Sequence, residues 1–233
     1  VNFGPKIKPQ FDIDAIFGGT NSKGKWILSI TDEGGADTGL ISAWGMQINN
    51  SNSIPFNMEC TSLIEGFYNS SANTMITDTV RYFLRSAVFP YSIIDSSKTK
   101  VSLSGNGNAL FSNVQTSMDY FLVLKHRNSI ETWSRSGGEV FTGSTLNYDL
   151  TTSASQAYGN NQKLVGSKYS VFTGDVNQEG SVDLTDIITI YNDAGLFASG
   201  YINTDLNYDN LADLTDIILA YNNSSMFVAV VRP

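Results

Sequence analysis

The sequence holds one cysteine, Cys60, so no disulfide can close within the chain. A lone cysteine is usually a small core residue, and stability must come from packing and bound ions instead. There is also one histidine, His126, which cannot build a histidine-rich metal centre by itself. Charge is scarce: 15% of residues are Asp, Glu, Lys or Arg, and the net charge is -8. Nucleic acid is excluded as a partner, because a phosphate backbone needs a basic face. No apolar run reaches the length of a membrane span. No signal-peptide pattern opens the chain, as expected for the mature form of a secreted protein. Lys and Arg are absent from Val171 to Val231, a stretch with nine carboxylates. That much like charge opposes compaction, so bound cations are expected to take part in folding there.

Against these absences stand 41% hydrophobic residues and a mean hydropathy of -0.10. With abundant Ser, Thr, Asn and Gly, this is the composition of a neutral-surfaced β protein from outside the cell. Its length allows two or three small domains.

One acidic pattern occurs twice. It runs from Asp175 to Asp186 and again from Asp205 to Asp216, and the register continues to Tyr191-Asn192 and Tyr221-Asn222. Calcium takes six to eight oxygen ligands, and a twelve-residue loop supplies them from positions 1, 3, 5, 7, 9 and 12. In the first loop these are Asp175, Asn177, Glu179, the Ser181 carbonyl, Asp183 and Asp186. In the second they are Asp205, Asn207, Asp209, the Leu211 carbonyl, Asp213 and Asp216. Position 6 must turn sharply and is Gly180 or Asn210, the residue types most tolerant of left-handed geometry. Two calcium sites are expected. Acidic turns with helix N-caps are the plainer alternative, and two copies in register argue against it. Glu at position 5 of the first loop and the missing glycine of the second are each expected to weaken a site.

After each loop the apolar residues fall at helical spacing: Leu184, Ile187, Ile188, Tyr191, and Leu214, Ile217, Ile218, Tyr221. Each helix is expected to pack this stripe on the other. Val171-Phe172-Thr173-Gly174 reads as a strand end, so no entering helix precedes the first loop. Paired loop–helix units without entering helices resemble the dockerin module of secreted bacterial proteins.

Earlier in the chain, Gly24–Ile30 and Ile41–Ile48 read as the strands of a hairpin anchored by Trp26 and Trp44. Gly24-Lys25-Trp26, Asp32, Gly35, Asp37-Thr38-Gly39, Ser42 and Trp44 also resemble the closing part of the P domain of proprotein-convertase-type subtilisins. That resemblance implies a jelly-roll sandwich of which residues 1–50 supply only the last part. Its missing strands are either lost from view or supplied by another chain through strand addition. Residues 1–8 and the β-forming run 226–233 are the candidate donors.

Residues 51–56 read as a linker. Residues 57–170 show strand signals at Cys60–Tyr68, Thr79–Ser86, Lys100–Ser104, Tyr120–Arg127, Ile130–Ser134 and Leu146–Leu150, with Gly105-Asn106-Gly107 as a hairpin turn. This predicts an immunoglobulin-like sandwich. The run Tyr120–Trp133 resembles non-catalytic tails of secreted bacterial cell-surface proteins. The fold expected is therefore mainly β: an incomplete jelly-roll-like sheet (1–50), an immunoglobulin-like β-sandwich (57–170), a dockerin-like two-helix calcium module (171–225) and a terminal strand (226–233).

Catalytic motifs are lacking. A Ser-His-Asp triad is not excluded by counting, but no nucleophile motif lies near His126, whose neighbours suit a hydrogen-bonded structural role. No enzyme activity is expected. Asn49, Asn69 and Asn222 head glycosylation patterns, which leaves glycans as partners. Two functional readings follow. The first is a structural subunit of an extracellular calcium-stabilised assembly, a filament of copies joined head to tail by strand complementation. The second is the non-catalytic tail of a secreted hydrolase whose dockerin-like module binds a cohesin-like partner. In dockerins positions 10 and 11 select that partner; here they are Leu184-Thr185 and Leu214-Thr215, duplicated as in a dual-mode dockerin. Leucine at position 10 suits internal packing better than a solvent-facing contact.

Overall fold

The computed structural model divides into two compact units, residues 1–52 and 53–233, and it describes residues 55–233. The expectations placed on residues 1–50, including the P-domain-like hairpin with Trp26 and Trp44 and the N-terminal donor strand, lie outside the described residues. So does most of the linker. Its last residue, Phe56, already pairs with Phe111 in the first strand.

Two sheets face each other. One has the order β6-β1-β9 and the other β5-β4-β7-β8, built from β1 (Phe56–Thr61), β4 (Thr79–Ser86), β5 (Ile93–Lys100), β6 (Asn106–Phe111), β7 (Tyr120–Lys125), β8 (Thr132–Trp133) and β9 (Thr145–Asp149). Short hairpins β2–β3 (Tyr68–Asn69, Thr74–Met75) and β10–β11 (Lys163–Val165, Lys168–Ser170) close the ends. Alternation explains the sandwich: Met58 and Cys60, Val80, Tyr82 and Leu84, and Leu122 and Leu124 all point into one core. The single cysteine is thus buried, and burial pushes its thiol up to about 12.

Two strands differ from the sequence expectation: Cys60–Tyr68 holds only the end of β1, a single helical turn at Glu65–Phe67 and the start of β2, and Lys100–Ser104 leaves β5 after its first residue. Residues 101–105 form a turn rather than a strand, closed by Gly105 N–H donating to the Ser102 carbonyl, and Gly105 is left-handed at φ 80°. The strands on either side, β5 and β6, carried weak signals. β5 is an edge strand with little buried surface, so Ile93–Lys100 has no reason to alternate. β6 opens with Asn106-Gly107, which reads as turn chemistry.

The chain ends with α1 (Leu184–Gly195) and α2 (Leu214–Ser225). Each starts with a capping box: Asp183 with Asp186, and Asp213 with Asp216. No helix among the described residues is long and apolar enough to cross a membrane. The chain is mainly β, a sandwich followed by a two-helix region.

Candidate metal centre

The two acidic segments fold as near copies. Position 6 is left-handed in both, with φ 98° at Gly180 and 75° at Asn210, as the ligand spacing requires. Position 4 is left-handed too, at Gln178 and Tyr208, each with φ 62°. No residue-type signal announced that second turn.

Backbone N–H groups wrap around the aspartates. Gly180 N–H donates to Asp175 Oδ2 at 3.2 Å, and Asn210 N–H to Asp205 Oδ2 at 3.1 Å. Asp186 Oδ1 accepts from Val176 N–H and Asp216 Oδ1 from Leu206 N–H, at 2.9 and 2.7 Å. Asn177 Oδ1 and Asn207 Oδ1 accept from the N–H groups of Glu179 and Asp209. In the first loop Glu179, Asp183 and Asp186 bring carboxylate oxygens within 4.8 Å of one another, and the Ser181 hydroxyl lies 3.4 Å from Glu179 Oε1. The second loop does not gather three of its carboxylates so closely. Asp209 is one methylene shorter than Glu179, and its Oδ2 is taken by the Asn207 amide at 2.8 Å.

The position-7 residues are fixed reciprocally. Ser181 bridges Ala229, beyond α2, while Leu211 bridges Ser199, beyond α1. Val182 N–H donates to Val228 O, and Val230 N–H to Gly180 O. This uses the run expected as a terminal strand: residues 226–233 make one bridge rather than a strand, and Val228 is buried. The ladder is too short for a strand because it closes against a loop that turns away after position 7.

The sandwich reaches into both loops. Gln178 Nε2 donates to Ser129 O and Asp175 O. Asn128 Nδ2 donates to Asp205 O at 3.0 Å, and Arg127 Nη2 to the same oxygen at 3.4 Å. Arg127 also donates to Ile202 O, and its guanidinium lies 4.5 Å from the Tyr201 ring centroid. A stretch with no cation of its own thus borrows one. Asn223 on α2 donates to Glu65 Oε2 and Thr173 O. Nothing in the local sequence marks these long-range partners.

His126 sits below Arg127. Asp78 can only accept, so Nε2 donates to Asp78 Oδ2 at 3.1 Å and Nδ1 accepts from Ser129. The order Ser-His-Asp looks catalytic, but Ser129, His126 and Asp78 are 0%, 2% and 4% exposed, and no substrate reaches a buried hydroxyl. Burial lowers the His126 pKa. Burial alone would raise that of Asp78, yet bonds from His126, Tyr201 and Thr79 hold it well below the usual range.

The decisive atoms are two orphans. Asp175 Oδ1 and Asp205 Oδ1, at position 1 of each loop, are buried with no hydrogen-bond partner. An unpaired buried carboxylate oxygen is costly unless a cation faces it. All-oxygen donor sets at this spacing fit a hard divalent cation, calcium before zinc. Burial pushes Asp175 up to about 6, with the Asp186 charge adding to it. Asp216 also rises to about 6, through burial and the Asp205 charge. Asp186 and Asp205 are raised by burial. The caps Asp183 and Asp213 are lowered by bonds from Thr185 and Thr215.

No family model matches the chain, and no curated protein matches it. The dockerin and P-domain resemblances therefore stand on their motifs alone. Among solved structures, an N-terminal interface mutant of the type II cohesin–X-dockerin complex from Acetivibrio cellulolyticus is similar at a TM-score of 0.40 and 13% identity, over 73% of this chain and 99% of that chain.

The helix faces correct the sequence reading. Leu184, Ile188 and Tyr191 are exposed at 65%, 48% and 67%, and Leu214, Ile218 and Tyr221 at 65%, 48% and 61%. The faces turned inward instead carry Asp186 and Ile190, and Asp216, Ala220 and Asn223, with Ile187 and Ile217 partly buried. Periodicity gave the stripe but not its edge, and the position-12 aspartate rotates each helix so that the loop, not the stripe, faces in. Leucine at position 10 is solvent-facing in both copies.

A pH effect follows. Asp175 and Asp216 have folded values near 6 against about 3.9 when unfolded. Without metal, their contribution to stability is present in full below about pH 4 and is lost as pH rises through 6. Each of these two groups should make the calcium-free protein about 1–2 kcal/mol more stable at pH 5 than at pH 7.5, against an opposing loss from buried His126, whose lowered pKa makes the unfolded chain take up a proton as pH falls; the net should be a higher melting temperature at pH 5. The calcium-loaded protein should show the opposite trend, because protons compete with the ion. Calorimetry with chelator and with calcium checks this, and one trend in both states would contradict it.

Proposed function

We propose that the chain is a non-catalytic structural module of an extracellular assembly, in which two calcium-binding loops hold a pair of helices as a docking surface for another protein. The observation that carries this reading is the duplicated exposed face: Leu184, Ile188 and Tyr191 on α1, repeated as Leu214, Ile218 and Tyr221 on α2. Helix faces this apolar are ordinarily buried, and their exposure in two matching copies fits a binding surface. The dockerin resemblance implies a cohesin-like β-sandwich as the partner class. Calcium would be held by Asp175, Asn177, Glu179, the Ser181 carbonyl, Asp183 and Asp186, and by their counterparts Asp205 to Asp216. The protein part of the task is to fix the helix N-termini, through the two capping boxes, at a constant angle.

Capture of an immobilised cohesin-type domain, with calcium and after chelation, tests this reading. Because the face is duplicated, Tyr191→Asp or Tyr221→Asp alone should weaken binding by only about twofold, while both together should cost about a hundredfold. Undiminished binding by the double variant would remove the helix face from the account.

A second reading, a filament built by strand complementation, is favoured by the edge strand β9 of the short β6-β1-β9 sheet among the described residues. Its donor would be residues 1–8, because the C-terminal run is engaged with its own chain. Negative-stain images should then show fibres in calcium that fray on chelation, and single particles in both conditions would reject it.

A further inference from the structure

Glu65 is a carboxylate with an amine facing one oxygen and an amide bonded to the other. It lies in the single helical turn between β1 and β2, and its side chain is 8% exposed. Lys163 Nζ, on β10, stands 3.8 Å from Oε1. Asn223 Nδ2, on α2 and 158 positions along the chain, donates to Oε2 at 2.6 Å and to Thr173 O at 2.8 Å. Asn223 is fully buried and its Oδ1 has no partner, so the amide is held through its nitrogen alone.

A buried carboxylate ordinarily takes its cation at hydrogen-bond distance. Here the lysine stands off and the amide has the closer place. Burial raises the Glu65 pKa, and bonds from Asn223, Thr173 and Lys163 offset only part of that rise. Such a carboxyl can carry a proton in transit. An amine nucleophile, an amide carbon and a proton carrier are thus gathered on one buried group, which is what amide exchange requires.

We propose that Lys163 and Asn223 join in an isopeptide bond, formed within the folded chain with Glu65 as the proton carrier. The Lys163 ammonium gives a proton to Glu65, and the freed pair on Nζ forms a bond to Asn223 Cγ while the carbonyl pair moves to Oδ1. Glu65 passes its proton to Nδ2, to which it is already bonded, and takes one from Nζ. The carbonyl then reforms and the Cγ–Nδ2 bond breaks with its pair on nitrogen. Ammonia leaves and takes the proton from Glu65, so the net change is ammonium lysine plus amide to substituted amide plus ammonium ion. No oxidant, reductant or other reactant is consumed. The flexible four-carbon stem of lysine supplies the reach. The bond closes a ring from Lys163 to Asn223 that encloses both acidic loops and α1. It ties the helix pair to the sandwich in a chain that cannot form an internal disulfide, and it restrains the unfolded chain as a disulfide would.

Intact-mass spectrometry of the full chain, folded in calcium and then denatured, tests this. The wild type should be lighter than its sequence by one ammonia, and peptide mapping should recover a branched peptide joining Lys163 to Asn223. Lys163→Arg and Glu65→Gln should each restore the full sequence mass. Lys163→Arg, which keeps the charge at a partly exposed position, should also melt roughly 10 °C lower than the wild type. A wild type of full sequence mass would overturn the proposal. So would an ammonia loss that persists in Lys163→Arg, which would assign it to a succinimide at an asparagine. A branched peptide that still forms in Glu65→Gln would overturn Glu65 as the proton carrier.

Discussion

Chelating calcium is expected to lower the melting temperature by roughly 10–30 °C. An ion present at 100 to 1,000 times its dissociation constant stabilises the folded state by about 2.7–4.1 kcal/mol per site. Two sites would contribute about 5–8 kcal/mol, which rivals the whole stability of an ordinary domain. For a unit of this size, each kcal/mol moves the midpoint by about 2–4 °C. The cost has a physical source in the buried orphans Asp175 Oδ1 and Asp205 Oδ1 and in the raised pKa values of Asp175 and Asp216. The sandwich should lose its support with them, because Asn128 and Arg127 hold Asp205 O and Asn223 holds Glu65. Far-ultraviolet circular dichroism with calcium and with chelator reads both the midpoint and the loss of α1 and α2. An unchanged midpoint and helical signal in chelator would contradict a structural role for the ion.

Gly66→Ala is expected to cost about 3–5 kcal/mol, more than almost any other single methyl added to this chain. A Cβ at position 66 would lie 1.9 Å from the carbonyl oxygen of Leu206, at position 2 of the second loop. The neighbour is backbone, which cannot rotate aside, so either the loop shifts or the short turn at Glu65–Phe67 does. Asp205 and Asp216 would be displaced together, and calcium affinity at the second loop should fall with stability. Chemical denaturation combined with a calcium titration distinguishes this from simple surface tolerance. A variant with normal stability and two normal sites would show that the loop does not pack against the sandwich as described.

The shape of the two loops was legible because the pattern is local. The twelve residues proposed as each donor set are consecutive, and the thirty-residue offset between copies makes the pattern visible twice. The sandwich was legible where a strand alternates, as in β4, or is apolar throughout, as in β7, and hidden at its edge, where β5 needs no alternation. The helix stripe was seen but turned the wrong way, since hydrophobic spacing cannot say whether Leu184 or Asp186 faces the core when a bound ion can reward the aspartate. The terminal run Val228–Val231 looked like a free strand because its partner, Gly180–Val182, lies some fifty residues earlier in an acidic loop. Arg127, Asn128 and Asn223 were invisible for the same reason: their work is done on residues about fifty to a hundred and sixty positions away.

Isothermal titration with calcium, on the wild type and on Asp175→Ala and Asp205→Ala, tests the central claim most directly. Two ions per chain are predicted for the wild type and one for each variant, with the second loop the weaker site. A wild type that binds no calcium, or variants that still bind two ions, would contradict it.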